Sequence, residues 1–442
     1  MKKPSLLLLI VLLIIPATTR AQEPVEITFT HIFTDDIRGG VVQAMVDAFM
    51  AENPHISVTM QVDTDNYGDV FNSALLAADQ GNPIALVQVE ESFTQLAIDS
   101  QFFVPITQAA SDDQLAGLDE YLPQVIGYYT VGGELWGIPW NSSNPLLYYN
   151  ADYFRAAGLD PADPPNTFDE MLAACEAILA AEIDGVSACA NWPMASWFPE
   201  QWMAMQGEVL VDNNNGRDGR ATEMFTTAPG MVEAVTWWGE MAQRGYYTYS
   251  GRQDDYTGDA IIFIGKSTAM HINSTAGLSN FISFAQQQEF ELGVAPLLQP
   301  TEADDLGVTM GGASLFVSAG LSEAETQAAV DLVFFLTNAE NDAFFHRGTG
   351  YLPNRASTIE QMEADGFYAE NPFFRIAVDQ LLASTDSTAT RGIVLGTAAQ
   401  ARPILLEAIQ SVVDGGEDPS EALAAAKTRI DADIADYNSL FD

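Results

Sequence analysis

The most restrictive feature of this sequence is an apolar run without alternation at residues 84–89, IALVQV. Such a run is expected of a buried strand in a parallel sheet. Alternating strand patterns lie before it at 25–33 and 56–62. Helical patterns at 40–52 and 69–79 separate the three strands. The first hundred residues therefore predict a β-α-β-α-β-α unit, which means an α/β domain with a mostly parallel sheet and ligands beyond the carboxyl ends of its strands.

A second α/β region follows this unit. Gly132-Gly133 indicates a hairpin before a short strand at 134–140, and the apolar run at 146–149 begins the second region. Further helices are expected near 168–181 (capped by Thr167), 229–243, 323–336 and 338–347, and further strands near 260–264, 268–272, 291–295 and 312–317. The C-terminal part, 399–438, is mainly helical with a break at Gly415-Gly416. Because no long linker separates the regions, the chain is expected to cross between them more than once.

The composition limits the possible functions. The chain has 442 residues, of which 48% are hydrophobic and 18% charged, so it can bury large cores in two or three domains. Its 17 Lys+Arg face 61 Asp+Glu, a formal net charge of −44. A polyanion cannot neutralise phosphates in bulk, which excludes general nucleic-acid binding and argues against docking on anionic lipid.

The first 21 residues are typical of a secretory signal peptide. Lys2 and Lys3 form a positive n-region, residues 6–15 form an apolar h-region, and Thr19-Arg20-Ala21 places small residues at −3 and −1. The alternative is a membrane anchor, but the apolar stretch is shorter than the ~20 residues that a span needs. No cysteine lies near the cleavage site, so no lipid anchor is expected. We predict export to a periplasm or to the outside of the cell, with a mature chain beginning near Gln22.

Cys175 and Cys189 are the two cysteines. In an exported chain they can close a disulfide loop, worth about 3 kcal/mol in the chain-entropy model. The alternative is two buried free thiols. Neither the cysteines nor the four scattered histidines have zinc-site spacing, and no cofactor is expected.

Residues 212–219, DNNNGRDG, suggest a calcium loop at first sight. Asp212, Asn214, Asp218 and Glu223 fall at loop positions 1, 3, 7 and 12. Position 6, where such loops need glycine, is Arg217. A hairpin turn is the better interpretation.

Catalytic motifs are absent from the sequence. There is no G-x-S-x-G elbow and no Gly-rich phosphate loop. Glu90 and Glu91 could suggest a glycosidase pair, but adjacent carboxylates cannot flank a glycosidic bond. We expect a protein that is not an enzyme.

Several segments resemble extracellular solute-binding proteins of ABC importers, in the sugar-binding class, and especially the subfamily that binds glycerol-3-phosphate and glycerophosphodiesters. The segments that carry the resemblance are Asp65-Asn66-Tyr67, residues 88–91 (QVEE), residues 140–150 (WNSSNPLLYYN), residues 311–315 (GGASL) and residues 349–353 (TGYLP). The resemblance covers nearly the whole mature chain.

The resemblance implies the type II periplasmic-binding-protein fold, with a ligand cleft between two lobes that close by a hinge motion. It places residues 24–143 plus 313–352 in one lobe and 144–312 plus 353–442 in the other. It also implies delivery of a small polar solute to the transmembrane subunits of an ABC permease. We expect a monomer.

The resemblance also assigns ligand residues on the first lobe and at the crossing segments. Tyr67 would cover or hydrogen-bond the ligand, and Glu91 would accept hydrogen bonds from its hydroxyl groups. Ser143 would offer a hydroxyl group where the chain crosses. Gly312 would allow a close backbone approach and donate its N–H, and Tyr351 would bind phosphate.

On the second lobe the resemblance assigns Trp192 and Trp197 to an apolar wall, Ser274 to a hydroxyl contact and Arg402 to the phosphate. A guanidinium group makes bidentate contacts with phosphate. Residues 396–401, just before Arg402, contain no acidic residue to pair with it and could begin a helix whose N–H groups favour anions. The alternative for Arg402 is a surface ion pair.

Two positions depart from the subfamily pattern. Two more residues separate the tryptophans than in the subfamily. Glu90 stands where an aromatic residue is usual and adds a charge beside Glu91. Since neighbouring strand residues point to opposite faces, at most one of these carboxylates is expected to face the cleft.

The ligand implied is glycerol-3-phosphate or a glycerophosphodiester such as glycerophosphocholine. An uncharged oligosaccharide is the alternative within the same class. A secreted glycoside hydrolase or a lectin-like module is the alternative of another class.

Overall fold

Two β-sheets with helices packed around them make up the chain. The computed structural model describes residues 23–304 and 306–441, and the expected signal peptide lies outside them. Within these two ranges, no helix is long and apolar enough to cross a membrane. We call the elements around the first sheet the first lobe and those around the second sheet the second lobe.

The strands are short and lie mainly inside the protein. They are β1 (Val25–Thr30), β2 (Ile56–Gln61), β3 (Leu86–Glu90), β4 (Phe103–Val104), β5 (Thr130–Val131), β6 (Glu134–Leu135), β7 (Ile138–Ser143), β8 (Pro145–Asn150), β9 (Ala188–Asn191), β10 (Tyr247–Thr248), β11 (Thr268–Ser274), β12 (Leu292–Pro296) and β13 (Gly311–Ser318).

The first sheet has the order β2-β1-β3-β13-β4, and β7 also pairs with β13. Strands β1, β2 and β3 are parallel, and β13 is antiparallel to β3, β4 and β7. Five strands therefore run one way and β13 runs the other, which confirms the mostly parallel sheet. The carboxyl ends of β2, β3 and β7 meet the start of β13 at one edge, where several predicted ligand residues lie.

The second sheet has the order β10-β9-β11-β8-β12. Strands β9, β10 and β11 are parallel, whereas β8 is antiparallel to β11 and β12. Strands β5 and β6 form a separate hairpin, as Gly132-Gly133 predicted.

Helices cover the sheets and form the C-terminal part of the chain. They are α1 (Asp36–Glu52), α2 (Tyr67–Asp79), α3 (Thr94–Ser100), α4 (Ile106–Ala109), α5 (Asp112–Leu115), α6 (Pro123–Ile126), α7 (Ala151–Ala156), α8 (Phe168–Ala180), α9 (Trp197–Met205), α10 (Asp212–Gly216), α11 (Pro229–Gln243), α12 (Tyr256–Ile264), α13 (Leu278–Gln287), α14 (Glu323–Leu336), α15 (Ala339–Thr349), α16 (Ala356–Ala364), α17 (Phe367–Glu370), α18 (Pro372–Ala383), α19 (Ala398–Gly415) and α20 (Pro419–Asn438).

Most sequence-predicted elements are present, but the strand expected near 260–264 is wrong. These residues end α12, which Asp255 begins by accepting a hydrogen bond from the N–H of Gly258 at 2.9 Å. Phe263 is buried while Ile261 is 64% exposed, so one face of a helix packs inward. A short run of β-branched residues does not distinguish a strand from a half-buried helix.

The chain passes between the sheets through short hydrogen-bonded segments. After β7, Asn144 exchanges bonds with Thr275 of the second lobe: its N–H donates to the Thr275 hydroxyl oxygen and its carbonyl accepts from the Thr275 N–H at 2.9 Å. The N–H of Leu352 donates to the Ser142 carbonyl at 2.7 Å. Because Ser142 lies on β7 and Asn144 follows that strand directly, the crossing segments are held next to one another beside the sheet edge.

The exact lobe boundaries remain a prediction. The change of sheet between Ser143 and Pro145 lies at the predicted position. Arg355, assigned to the second lobe from sequence, instead donates hydrogen bonds to the Thr337 carbonyl and the Tyr121 hydroxyl oxygen at 2.6 and 2.9 Å, and both partners pack around the first sheet.

The second lobe has an aromatic core. Trp192, Trp202, Trp237 and Trp238 are buried within one hydrophobic cluster. Within the same cluster, α8 and β9 are joined by a disulfide between Cys175 and Cys189.

His271 lies inside β11 as a neutral side chain. Its Nδ1 lies 3.1 Å from the Asn191 carbonyl oxygen, and its Nε2 accepts from the Asn273 amide at 2.8 Å. The rings of Phe263 and Phe281 pack against it. Burial therefore lowers the pKa of His271 from 6.5 to about 3.

This burial predicts a pH effect on stability. Below the unfolded-state pKa of 6.5, the unfolded chain binds a proton that the folded His271 does not, so acidification lowers the free energy of unfolding by about 1.4 kcal/mol per pH unit. In urea unfolding, wild type should lose about 2 kcal/mol more than His271→Gln between pH 7 and pH 5. Other titrating groups contribute equally to both proteins and cancel in this comparison. Equal losses of unfolding free energy in the two proteins would therefore contradict a neutral buried His271.

Candidate functional site

A four-residue ion cluster lies between the two lobes. Arg402, in the first turns of α19, donates to both oxygens of Glu200 from Nε and Nη2 at 2.9 and 2.8 Å. Its Nη1 and Nη2 reach Glu90 and Glu91 of the first lobe at 3.2 Å each. The Glu91 and Glu200 side chains are almost fully buried. We call Arg402, Glu90, Glu91 and Glu200 the Arg402 cluster, which joins the lobes at the end of β3.

Both carboxylates after the third strand face the same cation, so the expectation that at most one faces the cleft is wrong. Strand β3 ends at Glu90, and Glu91 already begins a 3-10 turn over residues 91–93. Alternation between faces applies only within a strand. The change of backbone conformation between the two residues turns both side chains toward Arg402.

Residues 396–401 do not supply the acidic partners of Arg402, which are distant in sequence. Glu200 comes from α9, and Glu90 and Glu91 come from the other lobe. The alternative of a surface ion pair does not describe it either, since the Arg402 side chain is 18% exposed. The phosphate contact of Arg402 remains a prediction.

The charges in this cluster influence one another strongly. Burial favours the neutral form of Arg402, but the charges of Glu200, Glu90 and Glu91 outweigh it and hold the Arg402 pKa above its usual value. Burial and the Glu90 charge raise the pKa of Glu91, against the effect of Arg402. Three carboxylates around one guanidinium group therefore leave the cluster short of positive charge.

Gly312 packs against the end of β7 and contacts the cluster. Its N–H donates to the second oxygen of Glu91 at 3.0 Å. Its φ is +111°, and a Cβ at this position would lie 2.0 Å from the Asn141 carbonyl oxygen. Only glycine fits such an approach. The backbone donor predicted for Gly312 is thus present and engaged by Glu91.

Tyr67 begins α2 at the same sheet edge. Its hydroxyl oxygen accepts a hydrogen bond from the Asn141 amide at 2.7 Å, and the Gln88 amide donates to the Asn141 side-chain oxygen at 2.9 Å. Burial and the neighbouring Tyr351 raise the pKa of Tyr67, which keeps the hydroxyl group protonated. Because its oxygen accepts from Asn141, the hydroxyl group can donate its own proton to a ligand oxygen.

Tyr351 lies next to Tyr67, one residue before Leu352, which contacts Ser142. Its ring stacks on Phe345 at 5.5 Å. Burial lowers the pKa of Arg38, but Tyr351 and Asp35 beside it outweigh this effect and raise it. A second guanidinium group therefore lies near the residue predicted to bind phosphate, and sequence reasoning did not find it.

The two predicted wall tryptophans have different environments. Trp197 begins α9 and faces Gly311 of the first lobe, where an added Cβ would lie 2.7 Å from its ring. Trp192 is fully buried and lies parallel to Trp237 at 5.4 Å between ring centroids. Trp192 is therefore a core residue, and its prediction as part of the cleft wall is wrong. The longer spacing between the two tryptophans lets β9 end in the core before α9 begins at the cleft.

The predicted serines lie on opposite sides of the crossing segment. Ser143 ends β7 opposite Gly311, and Ser274 ends β11 opposite Pro145. The Ser274 hydroxyl oxygen accepts from the N–H of Ala276 at 3.1 Å and caps a short 3-10 turn. Their ligand roles remain predictions.

Sequence reasoning missed several groups at this site, namely Arg38, Asn141, Glu200, Asp254 and Tyr256. Burial raises the pKa values of Asp254 and Tyr256 in the second lobe, and both groups are close enough to Arg402 and Glu90 for those charges to act on them as well. Glu200 lies in the same tryptophan-rich segment as the two predicted wall residues. The other groups had no local signal, because the fold alone brings them to the cleft.

The segment 212–219 holds a turn, as predicted. Val211 and Met224 pair across it in antiparallel fashion, and the three residues after Asp212 adopt left-handed conformations. Among residues 23–304 and 306–441, no group of three or more His, Cys, Asp or Glu side chains could hold a metal ion.

Two α/β lobes with converging polar and aromatic side chains define a cleft-type solute-binding protein. The family model for bacterial extracellular solute-binding proteins matches residues 44–374. The chain belongs to this family, whose members are the binding proteins of ABC importers.

Relatives and solved structures agree with this family. The sn-glycerol-3-phosphate-binding periplasmic protein UgpB of Pectobacterium atrosepticum is 32% identical over 418 residues, covering 92% of this chain and 91% of that protein. The protein of the same name from Salmonella typhimurium is 32% identical over 423 residues, covering 93% of each.

Two solved structures share the fold. UgpB from Mycobacterium tuberculosis in complex with glycerophosphocholine has a TM-score of 0.76 at 21% identity, covering 94% of this chain and 99% of that one. The sugar-binding protein MalE from Xanthomonas citri has a TM-score of 0.76 at 20% identity, with the same coverage. These structures confirm the two-lobe α/β fold.

The Arg402 cluster predicts strong energetic coupling between Arg402 and Glu200. Arg402→Met leaves buried carboxylates without their cation and should lower the free energy of unfolding by about 3–5 kcal/mol. Adding Glu200→Gln removes one of those carboxylates, so the double variant should be at least ~1 kcal/mol more stable than the sum of the single effects implies. Urea unfolding of all four proteins measures this coupling, and additive effects would contradict it.

Proposed function

We propose that the protein captures a glycerol phosphate compound between its lobes and delivers it to an ABC permease. The candidates are glycerol-3-phosphate and glycerophosphodiesters, and the site favours a diester with a cationic head group. The relatives at 32% identity, which are named for glycerol-3-phosphate binding, support the compound class.

The orientation of Arg402 carries the proposal. Glu200, from the same lobe, holds the guanidinium group through two short hydrogen bonds at 2.8 and 2.9 Å. The contacts with Glu90 and Glu91 are longer, at 3.2 Å, and come from the opposite lobe. Glu200 therefore fixes the Arg402 guanidinium group from the second-lobe side, while Nη1 and Nη2 face the first lobe. A phosphate group can replace the longer contacts and keep the bidentate support of Glu200.

The surplus of carboxylates affects which head group of the ligand the site favours. Glu90, Glu91 and Glu200 surround Arg402. Asp254 lies nearby: burial raises its pKa, and the charges of Glu90 and Glu200 raise it further against the effect of Arg402. A phosphomonoester dianion meets more repulsion here than a phosphodiester, which carries one negative charge. A quaternary ammonium group would be attracted by these carboxylates and by the aromatic faces of Trp197 or Tyr256.

An uncharged oligosaccharide is the second candidate. Carboxylates such as Glu90 and Glu91 accept hydrogen bonds from sugar hydroxyl groups, and an indole face such as that of Trp197 packs against sugar C–H groups. In that case Arg402 would serve mainly to neutralise the carboxylates.

Calorimetric titration distinguishes these ligands. Wild type should bind glycerophosphocholine more tightly than glycerol-3-phosphate, and both more tightly than maltose. Arg402→Ala should cost about 2–5 kcal/mol of binding free energy for both phosphates and almost nothing for maltose. Glu90→Gln should narrow the gap between the two phosphates, because it removes a charge that repels the dianion and attracts the choline group.

Asp379→Asn is the matched control for Glu90→Gln, since Asp379 forms an exposed ion pair with Arg375 on α18. It should leave all affinities unchanged. Tight maltose binding without a response to either phosphate would contradict the proposed ligand class. The family is not an enzyme class, and the phosphodiester should be recovered unhydrolysed from the titration cell.

We also propose that the protein works as an exported monomer without a lipid anchor. The family is extracellular, and the sequence of residues 1–21 supports cleavage after Ala21. A monomer suits a protein whose two lobes together enclose one cleft.

Secretion from a bacterial host tests the cleavage. N-terminal sequencing of the exported protein should begin at Gln22, because the small residues Thr19 and Ala21 precede the cut. An Ala21→Leu variant should be cleaved poorly and should retain its N-terminal segment. A mature chain that still begins at Met1 would contradict the prediction.

A further inference from the structure

A second contact joins the lobes, apart from the Arg402 cluster. Asp99, near the end of α3 in the first lobe, accepts two hydrogen bonds from Arg220 of the second lobe, each at 2.7 Å. The Tyr437 hydroxyl of α20 donates to the same carboxylate at 2.6 Å. The Asp99 side chain is 6% exposed. We call Asp99, Arg220 and Tyr437 the outer clasp.

The second-lobe half of the clasp is held in place by its own lobe. The Asn213 amide donates to the Arg220 carbonyl at 2.7 Å, and the Asn438 amide donates to the Ala221 carbonyl at 2.8 Å. The Arg220 guanidinium group lies 3.7 Å from the centroid of the Phe441 ring. The left-handed turn that begins at Asp212 thus helps to position Arg220 rather than to bind a metal.

The first-lobe half is held in the same way. Asp99 accepts a further hydrogen bond from the Gln95 amide, one helical turn earlier, at 2.9 Å. Helix α3 packs against β4 and follows directly on the 3-10 turn of Glu91. Asp99 is therefore fixed to the element that carries a member of the Arg402 cluster, and movement of one lobe separates both sets of partners.

We propose that the outer clasp is an interlobe latch that stabilises the closed arrangement of the lobes without touching the ligand. Its contacts form only when α3 meets α20 and the segment around Arg220. A bound ligand between the lobes requires the same closure. The latch thus adds the same stabilisation to every closed complex, whatever the chemistry of the ligand.

The latch therefore predicts a uniform loss of affinity. Asp99→Asn and Arg220→Gln should each weaken binding of glycerophosphocholine and glycerol-3-phosphate by the same factor, on the order of ten-fold, mainly through faster dissociation. Tyr437→Phe, which removes one hydroxyl group, should have a smaller effect of the same kind. Arg402→Ala, by contrast, should weaken binding of both phosphates and leave binding of maltose almost unchanged.

The double variant Asp99→Asn/Arg220→Gln should bind no more weakly than the poorer single variant, because both changes break one contact. Arg429→Gln is the matched control: it removes one positive charge from an exposed pair with Glu407, which links α19 to α20 within the second lobe. It should leave affinity unchanged. Unchanged affinity in the clasp variants, or losses that differ between the two ligands, would overturn the proposal.

Small-angle scattering provides a readout that does not depend on the ligand. Without added ligand, the radius of gyration of Asp99→Asn and Arg220→Gln should exceed that of wild type and of Arg429→Gln. An equal radius in all four proteins would overturn the latch. If wild type bound neither phosphate, the proposed ligand class would fail, whereas the scattering comparison would still decide on the latch.

Discussion

The ion cluster around Arg402 is the interaction on which the cleft depends. A buried cation with three carboxylates is costly to assemble, since each charge loses its hydration and the negative charges repel one another. The lobes meet here because α19 carries the guanidinium group and the end of β3 carries two of its partners. A ligand phosphate would have to compete with Glu90 and Glu91 for Arg402, so in the proposed function the charge of the ligand is selected at the point where the lobes join.

The edge of the first sheet gives this cluster its geometry. β7 and β13 approach so closely that Gly312 has no room for a side chain, and the Asn141 amide on β7 holds the Tyr67 hydroxyl. The same strand makes the backbone contact with Leu352. A small change at this edge therefore affects the hinge, the position of Tyr67 and the donor to Glu91 together.

Elements with local causes could be predicted from the sequence. The parallel strands, the Thr167-capped helix α8 and the break between α19 and α20 follow from patterns within a few residues. The strand predicted at 260–264 was wrong because the hydrophobicity of this run fits either a strand or a half-buried helix. The Asp255 cap favours the helix.

The residues of the candidate site also divide into those that the sequence could predict and those that it could not. The family resemblance assigned Tyr67, Glu91, Ser143 and Gly312, and the structure places them at one sheet edge because the ends of β2, β3 and β7 meet the start of β13 there. The partners of Arg402 could not be predicted, because Glu200 is about two hundred residues away and no local pattern indicates the pair. The prediction that Trp192 forms part of the cleft wall was wrong for a related reason, since a tryptophan has the same sequence signal in a core as in a cleft.

The two interlobe contacts differ in their relation to the ligand, and this difference separates selectivity from closure. The Arg402 cluster lies where a ligand phosphate would compete, so its contribution depends on ligand charge. The outer clasp binds Asp99 to Arg220 and Tyr437 outside that competition, so its contribution depends only on whether the lobes have closed. Both act through the segment that runs from Glu90 to Ser100. Substitutions in the clasp can therefore change how long a solute is held without changing which solute is preferred, and release to a permease needs both contacts to break together.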